Sequence, residues 1–348
     1  MARKLKLCAL LLILLLLGGC LTANTDIPLE EGPSRRPPPE SSETASSTAS
    51  SSRAKPAEST PVPAPASQPE PTAEPTPAFT PYQAPELATA QFDPSAASGE
   101  NGVLIDLSGV SKGYVAVSAV GEARMKFRVE MDGQVYNYDL PSDGTPTVYP
   151  LQCGDGSYIF RALTNTVGSK YALAYSAEAA VQLEDEFQPF LRPSQYVDYD
   201  ADSKCVQLAA ELASRQPDAL GVVQAVMEYI CENVTYDKEK AATVSKGYLP
   251  SPDETLASGR GICYDYASLA AAMLRSQGIP TKMVFGNVEP DGLYHAWNMF
   301  YTEESGWVTL EYQVDEGTWS RMDLTFLANG ADQDFIGDGT HYTDVYFY

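Results

Sequence analysis

Two side chains in the second half of the chain are suited to nucleophilic catalysis. Cys263 lies in GRGICYDYASL, between glycines and the start of a predicted helix, and His295 lies in the predicted strand GLYHAWNMFY. A helix N-terminus favours the thiolate by only about 0.3–1 kcal/mol, so a reactive cysteine needs a second contributor. A neutral imidazole within hydrogen-bonding reach would accept the thiol proton, and an acid on its far nitrogen would fix the tautomer. The pair is compatible with catalysis, and also with a buried cysteine and a hydrogen-bonded histidine that only serve packing.

The elements that would position this pair are helices followed by a sheet. SKCVQLAAELASRQ and PDALGVVQAVMEYICENV each have one apolar face, and a third helix runs from Cys263 to a stop at Gly278-Ile279-Pro280. The segments TKMVFG, LYHAWNMFY, WVTLEYQV and TWSRMDLTF are predicted strands, with EESG and DEG as turns between the later ones. We therefore predict an α+β domain over residues 196–348, with N-terminal helices, a central cysteine helix and an antiparallel sheet.

The order of these motifs resembles that of the transglutaminase-like superfamily, whose members have a papain-like fold. The resembling stretches are GRGICYDYASLAAAMLRSQGIPTKMVFG, YHAWNMFY, GW and MDLTF, in that order over residues 197–348. The resemblance implies that Cys263 is the nucleophile, His295 the base and Asp323 the acid that orients the imidazole. It implies an enzyme that transfers acyl groups from protein or peptide amides. Cross-linking, hydrolysis by a peptidase or amidase, and a non-catalytic binding or adhesion module remain open.

The identity of the triad acid has two candidates. Asp323, in TWSRMDLTF, follows a tryptophan by four residues and begins Asp-Leu-Thr, which is close to the Asp-Pro-Thr common in the family. Glu311, in GWVTLE, follows a tryptophan at the same spacing. We favour Asp323, and Glu311 stays the alternative that a tight hairpin would place beside His295. The backbone amide of Cys263 would be the first oxyanion donor, and no sequence feature identifies a second.

The first 20 residues have the pattern of an export signal. MARKLKLCALLLILLLLGGC has a basic start and a short apolar run, too short for a membrane span of about 20 residues. Its end resembles a bacterial lipobox, which implies lipidation of Cys20 and attachment to the bacterial membrane at the cell surface. Ordinary signal cleavage with Cys20 unmodified is the alternative.

Two further regions precede the α+β domain. Residues 21–98 hold 16 of the 26 prolines and almost no large apolar residues, so we predict a disordered tether. Residues 99–195 have short alternating runs, with Asp132-Gly133 as a hairpin signal, and predict a small all-β sandwich. This sandwich could serve as a spacer or as a ligand-binding module.

The net charge of the chain limits the kinds of binding partner that we expect. The formal net charge of −23 argues against a nucleic-acid partner; it would suit basic substrates, although such charge also keeps exported proteins soluble. The sequence identifies no cofactor or metal site: the acidic stretch ANGADQDFIGDGTHYTD lacks the ligand spacing of an EF-hand loop, and calcium dependence stays open.

Cys205 and Cys231 are predicted at the same end of a helical hairpin, either as a disulfide or as two unpaired core cysteines. Trp297, two residues after His295, either shields the site from water or fills the core. We expect His341 to be a surface or strand residue.

Overall fold

The computed structural model describes residues 27–28, 80–304, 306–307, 313–315, 317–330, 336 and 339–348. Cys20 and Glu311 lie outside the described residues, as does nearly all of the predicted tether up to residue 79. Across the part of the chain that is described, no helix combines the length and hydropathy needed to cross a membrane.

Two antiparallel sheets form the region predicted as a β-sandwich. Their strands are β1 (Ile27–Pro28), β2 (Val103–Asp106), β3 (Tyr114–Ala119), β4 (Met125–Met131), β5 (Gln134–Leu140), β6 (Thr147–Pro150), β7 (Gly156–Val167) and β8 (Lys170–Val181). One sheet has the order β1–β8–β7–β4–β5 and the other the order β2–β3–β6. Short 3₁₀ turns occur at Val110–Lys112 and Gln188–Phe190.

The alternation of side chains on β4 and β5 explains how this sandwich closes. Residues of β4 are alternately buried and half-buried, and the hairpin turns at Asp132 and Gly133, whose φ values are 46° and 82°. Positive φ at both positions is what a two-residue hairpin of right-handed twist requires. Phe127 of β4 stacks on Tyr149 of β6 with ring centroids 4.6 Å apart, which joins the two sheets. The predicted all-β sandwich is confirmed.

Helices follow the sandwich, as predicted. They are α1 (Lys204–Ala213), α2 (Ala219–Asn233), α3 (Lys238–Thr243), α4 (Pro252–Ser258) and α5 (Cys263–Ser276), with a parallel strand pair β9 (Thr235–Tyr236) and β10 (Arg260–Gly261). Asp218 caps α2 by accepting the N–H of Gly221 at 2.8 Å. The small side chains of α5 are buried and let it approach the following sheet closely, so that Asn298 Nδ2 donates to the carbonyl of Ala267 at 3.0 Å.

An antiparallel sheet completes the fold. Its elements are β11 (Thr281–Val288), β12 (Leu293–Thr302), β13 (Gly306–Trp307), β14 (Gln313–Val314), β15 (Thr318–Met322), α6 (Leu324–Ala328) and β16 (Tyr342–Phe347). The main sheet has the order β15–β12–β11–β16, and β13 pairs separately with β14. The predicted order of helices and antiparallel sheet is thus confirmed.

Two predicted strands differ in detail. TWSRMDLTF is not one strand, because β15 ends at Met322 and the carboxylate of Asp323 accepts the N–H of Phe326 at 3.1 Å, which starts α6. WVTLEYQV is not one strand either, because its two ends, β13 and β14, pair with each other as antiparallel partners. In TWSRMDLTF a helix cap ends the strand that the composition predicts. In WVTLEYQV the antiparallel pairing of the two ends replaces it.

The predicted limit of the tether at residue 98 is wrong. The N–H and the hydroxyl of Tyr82 donate to the carbonyls of Gln216 and Gln277, at 2.6 and 2.8 Å. Leu87 packs against the core, and the N–H of Asp93 donates to a carboxylate of the β-sandwich at 2.7 Å. The segment from residue 80 onwards carries enough apolar side chains to be held against the folded part.

The β-sandwich and the α+β region share one continuous hydrophobic core. The buried ring of Tyr348 lies 5.6 Å from the rings of both Tyr136 and Tyr138 on β5. Tyr196, in the connection between the two regions, packs edge-on against Tyr348 at 4.6 Å. Such aromatic pairs contribute about 0.5–1.5 kcal/mol each beyond their buried area, so the interface is well packed.

The guanidinium of Arg275, on α5, joins three segments inside this body. It is 1% exposed, and it donates to the carbonyls of Thr281, Arg192 and Tyr348 at 2.9, 2.8 and 2.8 Å. Burial lowers its pKa to about 10, so it stays charged at neutral pH. One side chain therefore holds the cysteine helix, the connection from the sandwich and the last strand together.

The two cysteines of the helical hairpin are free thiols. Cys205 is fully buried at the start of α1 beside Asp253, while the sulfur of Cys231 lies 3.9 Å from the carbonyl of Leu324. The structure therefore supports two unpaired cysteines, because each sulfur is engaged by a different neighbour.

Candidate active site

Cys263 is the first residue of α5, and its position is fixed by the turn around it. The side chain of Asp265, fully buried, accepts the N–H of Ile262 at 2.8 Å and so caps the helix. A Cβ on Gly261 would come within 2.7 Å of the Cβ of Asp265, so this position has no room for a side chain. Close packing against Asp265 therefore explains why residue 261, two positions before Cys263, is a glycine.

Helix α3 and the loop of residues 244–249, which we call the loop wall, lie beside this first turn. Both are held there by contacts with the carboxylate of Asp265. The hydroxyl of Tyr248 donates to Asp265 Oδ1 at 2.6 Å, and Lys240 Nζ lies 2.8 Å from Asp265 Oδ2. Lys240 also donates to the Tyr248 hydroxyl at 2.8 Å. Because this network is partly buried, it holds the segment of α3 and the following loop in a defined place next to Cys263.

His295 projects from β12 opposite Gly286 of β11 and is 4% exposed. Its ring stacks on Phe326 with centroids 4.6 Å apart, and Trp297 lies on the same face at 6.2 Å. A Cβ on Gly286 would lie 2.7 Å from the Trp297 ring and 2.0 Å from the carbonyl oxygen of Thr343. Packing from several sides thus fixes the plane of the imidazole.

The third predicted residue, Asp323, lies directly against the imidazole. His295 Nε2 and Asp323 Oδ2 are 2.8 Å apart, and Asp323 is fully buried. The hydroxyl of Tyr342 donates to the same Oδ2 at 3.0 Å, while Oδ1 accepts the N–H of Phe326. With three donors, the carboxylate is held in one orientation.

The imidazole carries a strongly raised pKa. Burial acts to lower it, but the carboxylate of Asp323 and the sulfur of Cys263, which also hydrogen-bonds to the ring, together raise the pKa of His295 to about 10. Because Nε2 is directed to Asp323, Nδ1 is the nitrogen available to the sulfur. The arrangement therefore favours an imidazolium between two anions, as in a thiolate–imidazolium pair.

A cleft of about 490 Å³ opens over these groups and includes Cys263 and His295 in its wall. The loop wall, residues 244–249, lines this cleft, which agrees with its hydrogen bond to the first turn of α5. The β-sandwich contributes four polar or charged residues of β4, β5 and the turn before them, which are Arg124, Lys126, Asn137 and Asp139. The candidate site is therefore built by both regions of the chain.

Two tyrosines near the site had no signal in the sequence. Tyr342 reaches Asp323 from β16, a strand more than 45 residues along from His295 and not predicted. Tyr294 lines the cleft beside His295, and its buried hydroxyl has no hydrogen-bond partner among the described residues. Burial, neighbouring tyrosines and the sulfur of Cys263 raise its pKa above the usual value, so the hydroxyl keeps its proton at neutral pH.

The other predicted residues take varied positions. Trp297 is 1% exposed and packs edge-on against Tyr342 at 4.9 Å, so it is a core residue that also covers His295. His341 precedes β16, its carbonyl accepts the N–H of Glu289, and it does not line the cleft. Within the described ranges, no group of three or more histidine, cysteine, aspartate or glutamate side chains is arranged to hold a metal ion.

Comparison with known proteins identifies a family that part of the chain resembles. Residues 206–312 match the family model described as the transglutaminase-like superfamily. A protein-glutamine gamma-glutamyltransferase from Pseudomonas aeruginosa is 30% identical over 155 residues, which is 40% of this chain and 21% of that protein. The chain thus spans about one fifth of the length of this relative.

Solved structures give partial overlaps. A candidate cysteine protease from Cytophaga hutchinsonii is 15% identical, with a TM-score of 0.35 over 68% of this chain and 86% of the other. Red sea bream transglutaminase is 13% identical, with a TM-score of 0.26 over 61% of this chain and 48% of the other. The resemblance to the transglutaminase-like superfamily that the sequence predicted is confirmed over residues 206–312.

Proposed function

We propose that this chain is a cysteine acyltransferase or hydrolase that acts on protein or peptide amides through Cys263, His295 and Asp323. The observation that carries the proposal is the buried arrangement in which His295 interacts with both partners at once. A histidine that only stabilised the fold would not need a thiol at one ring nitrogen. It would also not need, at the other nitrogen, a carboxylate that two further donors hold in place.

The reaction begins with attack by the Cys263 thiolate on the carbonyl carbon of an amide. A C–S bond forms, the negative charge moves to the carbonyl oxygen, and the tetrahedral intermediate then loses its C–N bond. The imidazolium of His295 gives its proton to the departing nitrogen, which leaves as ammonia or an amine. An amine or water then attacks the thioester, returns a proton to His295 and releases the thiolate.

Two groups are candidates to stabilise the oxyanion. The backbone N–H of Cys263 lies in the first turn of α5, where amides point out of the helix N-terminus. Tyr294 lines the same cleft, and its hydroxyl, which keeps its proton, is buried with no hydrogen-bond partner among the described residues, so it is the second candidate donor.

The first experiment uses the purified full chain with casein and a fluorescent primary amine. Incorporation of the label that is lost in Cys263→Ala supports acyl transfer, whereas unlabelled fragments that disappear in the same variant support hydrolysis. Cys153→Ala, a half-buried cysteine of the sandwich, is the matched control and should retain activity. If neither product forms, the enzyme proposal fails and a binding or adhesion module becomes the better account.

The anchoring of the protein is a separate part of the proposal, and it is supported by the sequence of residues 1–20 alone. Cys20 would carry the lipid and hold the chain on the outer side of a bacterial membrane. Metabolic labelling with a fatty-acid analogue should modify the expressed chain and fail to modify Cys20→Ser. Equal labelling of both proteins would refute the assignment.

A further inference from the structure

We propose that the wall formed by the β-sandwich is a binding subsite for a carboxylate-bearing segment of the peptide substrate. This inference deepens the amide acyl-transfer function proposed above and rests on it for the nature of the substrate. It gives the β-sandwich a role in recognition instead of a role as a spacer.

The pairing of β4 with β5 places the charged residues on one face. Lys126 and Asp139 are direct cross-strand partners, so their side chains point to the same side of the sheet. The alternate residues Phe127 and Tyr138 point to the other side and are fully buried in the core. Arg124, two residues before Lys126, extends the charged row.

Positive charge exceeds negative charge on this wall. Arg124 Nη2 and Lys126 Nζ both approach Asp139 Oδ1, at 3.4 and 2.8 Å, so one carboxylate is shared by two cations. Asp139 is the only carboxylate that the β-sandwich contributes among the described lining residues, so its wall has a surplus of about one positive charge.

This local surplus contrasts with the formal net charge of the whole chain, which is −23. An acidic surface would repel an acidic peptide at long range, whereas the wall of the cleft would attract it at short range. The side chain of Arg124 is 55% exposed, so its guanidinium is accessible for bidentate hydrogen bonding to a carboxylate of the substrate. In a peptide substrate, the anionic group that matches this wall is the carboxylate of Asp, Glu or a free C-terminus.

The test compares glutamine peptides that differ only in their flanking residue, which is Glu, Gln or Lys. At a separation of about 6 Å in water, one surplus cation changes the affinity for an anion about threefold. We expect kcat/KM for amine incorporation into the Glu peptide to exceed that of the Gln peptide about threefold at low salt. At about 1 M salt, where the Debye length is about 3 Å, the ratio should approach one.

Charge-neutral variants connect this preference to the wall. In Arg124→Gln, which removes the surplus charge, the Glu-to-Gln ratio should fall to about one. Lys170→Gln, a change at an exposed lysine at the start of β8 and outside the cleft, should keep the full ratio. A ratio near one in the unmodified protein, a preference for the Lys peptide, or an unchanged ratio in Arg124→Gln would overturn the subsite.

Binding measurements separate failure of the subsite from failure of the proposed reaction. Fluorescence anisotropy on Cys263→Ala measures the affinity for each peptide without turnover. Tighter binding of the Glu peptide with no product from the unmodified protein would refute acyl transfer and support the subsite. Equal binding of all three peptides would refute the subsite whatever the reaction.

Discussion

The raised pKa of His295 leads to a sharp prediction about the pH profile of Cys263. If the imidazolium persists up to about pH 10, it should stabilise the Cys263 thiolate throughout the range from pH 6 to 8. An ordinary thiol of pKa about 8.5 is about 0.3% thiolate at pH 6 and about 24% at pH 8, so its alkylation rate rises about 80-fold. We expect the rate for Cys263 to change less than about threefold over the same range.

The slope of this profile is the quantity to measure. A thiolate of low pKa is intrinsically less nucleophilic, by about 0.4–0.5 log units per pKa unit, so the absolute rate is a poor guide. Iodoacetamide labelling of the full chain, mapped by mass spectrometry, gives the rate for each cysteine. Cys231 is the internal reference, because burial and the nearby Asp323 raise its pKa to about 11 and predict a steep profile.

Variants assign the flat profile to its cause. His295→Gln should restore a steep profile at Cys263, and Asp323→Asn should give a lower rate at pH 6, because the imidazolium loses its carboxylate partner. His341→Gln, a change at the second histidine of the chain, should leave the profile flat. A steep profile in the unmodified protein, or a flat one in His295→Gln, would refute the thiolate–imidazolium pair.

Three further variants test single contacts. Tyr294→Phe should lower kcat/KM for acyl transfer about 10²-fold, the scale for one lost oxyanion donor, with the free energy of unfolding nearly unchanged because its hydroxyl has no described partner. Gly286→Ala should lower the free energy of unfolding by about 2–3 kcal/mol in urea denaturation, because the new Cβ would lie 2.0 Å from a carbonyl oxygen. Arg275→Met should lower it by at least about 3 kcal/mol, since three buried carbonyls lose their donor.

Matched controls distinguish these effects from general damage. Gly121→Ala should be tolerated, because the nearest atom to its new Cβ would be 3.6 Å away. Arg215→Met should change stability little, since that side chain is 65% exposed. A loss of stability in Tyr294→Phe as large as in Arg275→Met would contradict a hydroxyl reserved for substrate.

The parts of the fold that could be predicted are those with local signals. Gly261, which has no room for a Cβ, lies two residues before the start of α5 at Cys263, and Gly278 lies two residues after its end, so both limits have local signals. His295 lies in a long alternating strand, and the order of both motifs agreed with a known family. The prediction of MDLTF as part of a strand was wrong, because the N–H of Phe326 donates to the carboxylate of Asp323 and starts a helix there.

The parts that could not be predicted depend on long-range contacts. Tyr342 reaches Asp323 only because β16 pairs with β11, a partner chosen by the whole sheet. The charged wall of the cleft likewise depends on how the sandwich packs against the α+β region through Tyr136, Tyr138 and Tyr348. Composition gave the net charge of the chain, but it gave no indication that the cleft has the opposite sign.

The shared aromatic core has a consequence for how this molecule can be divided. The stretch that matches the family, residues 206–312, excludes Asp323, Tyr342 and every strand of the sandwich. An isolated fragment of that length would lack the triad acid and would expose rings that are now covered by the sandwich. Sequence similarity and cooperative folding therefore have different limits here, and a recombinant fragment intended for biochemistry should begin near residue 80 and retain Tyr348.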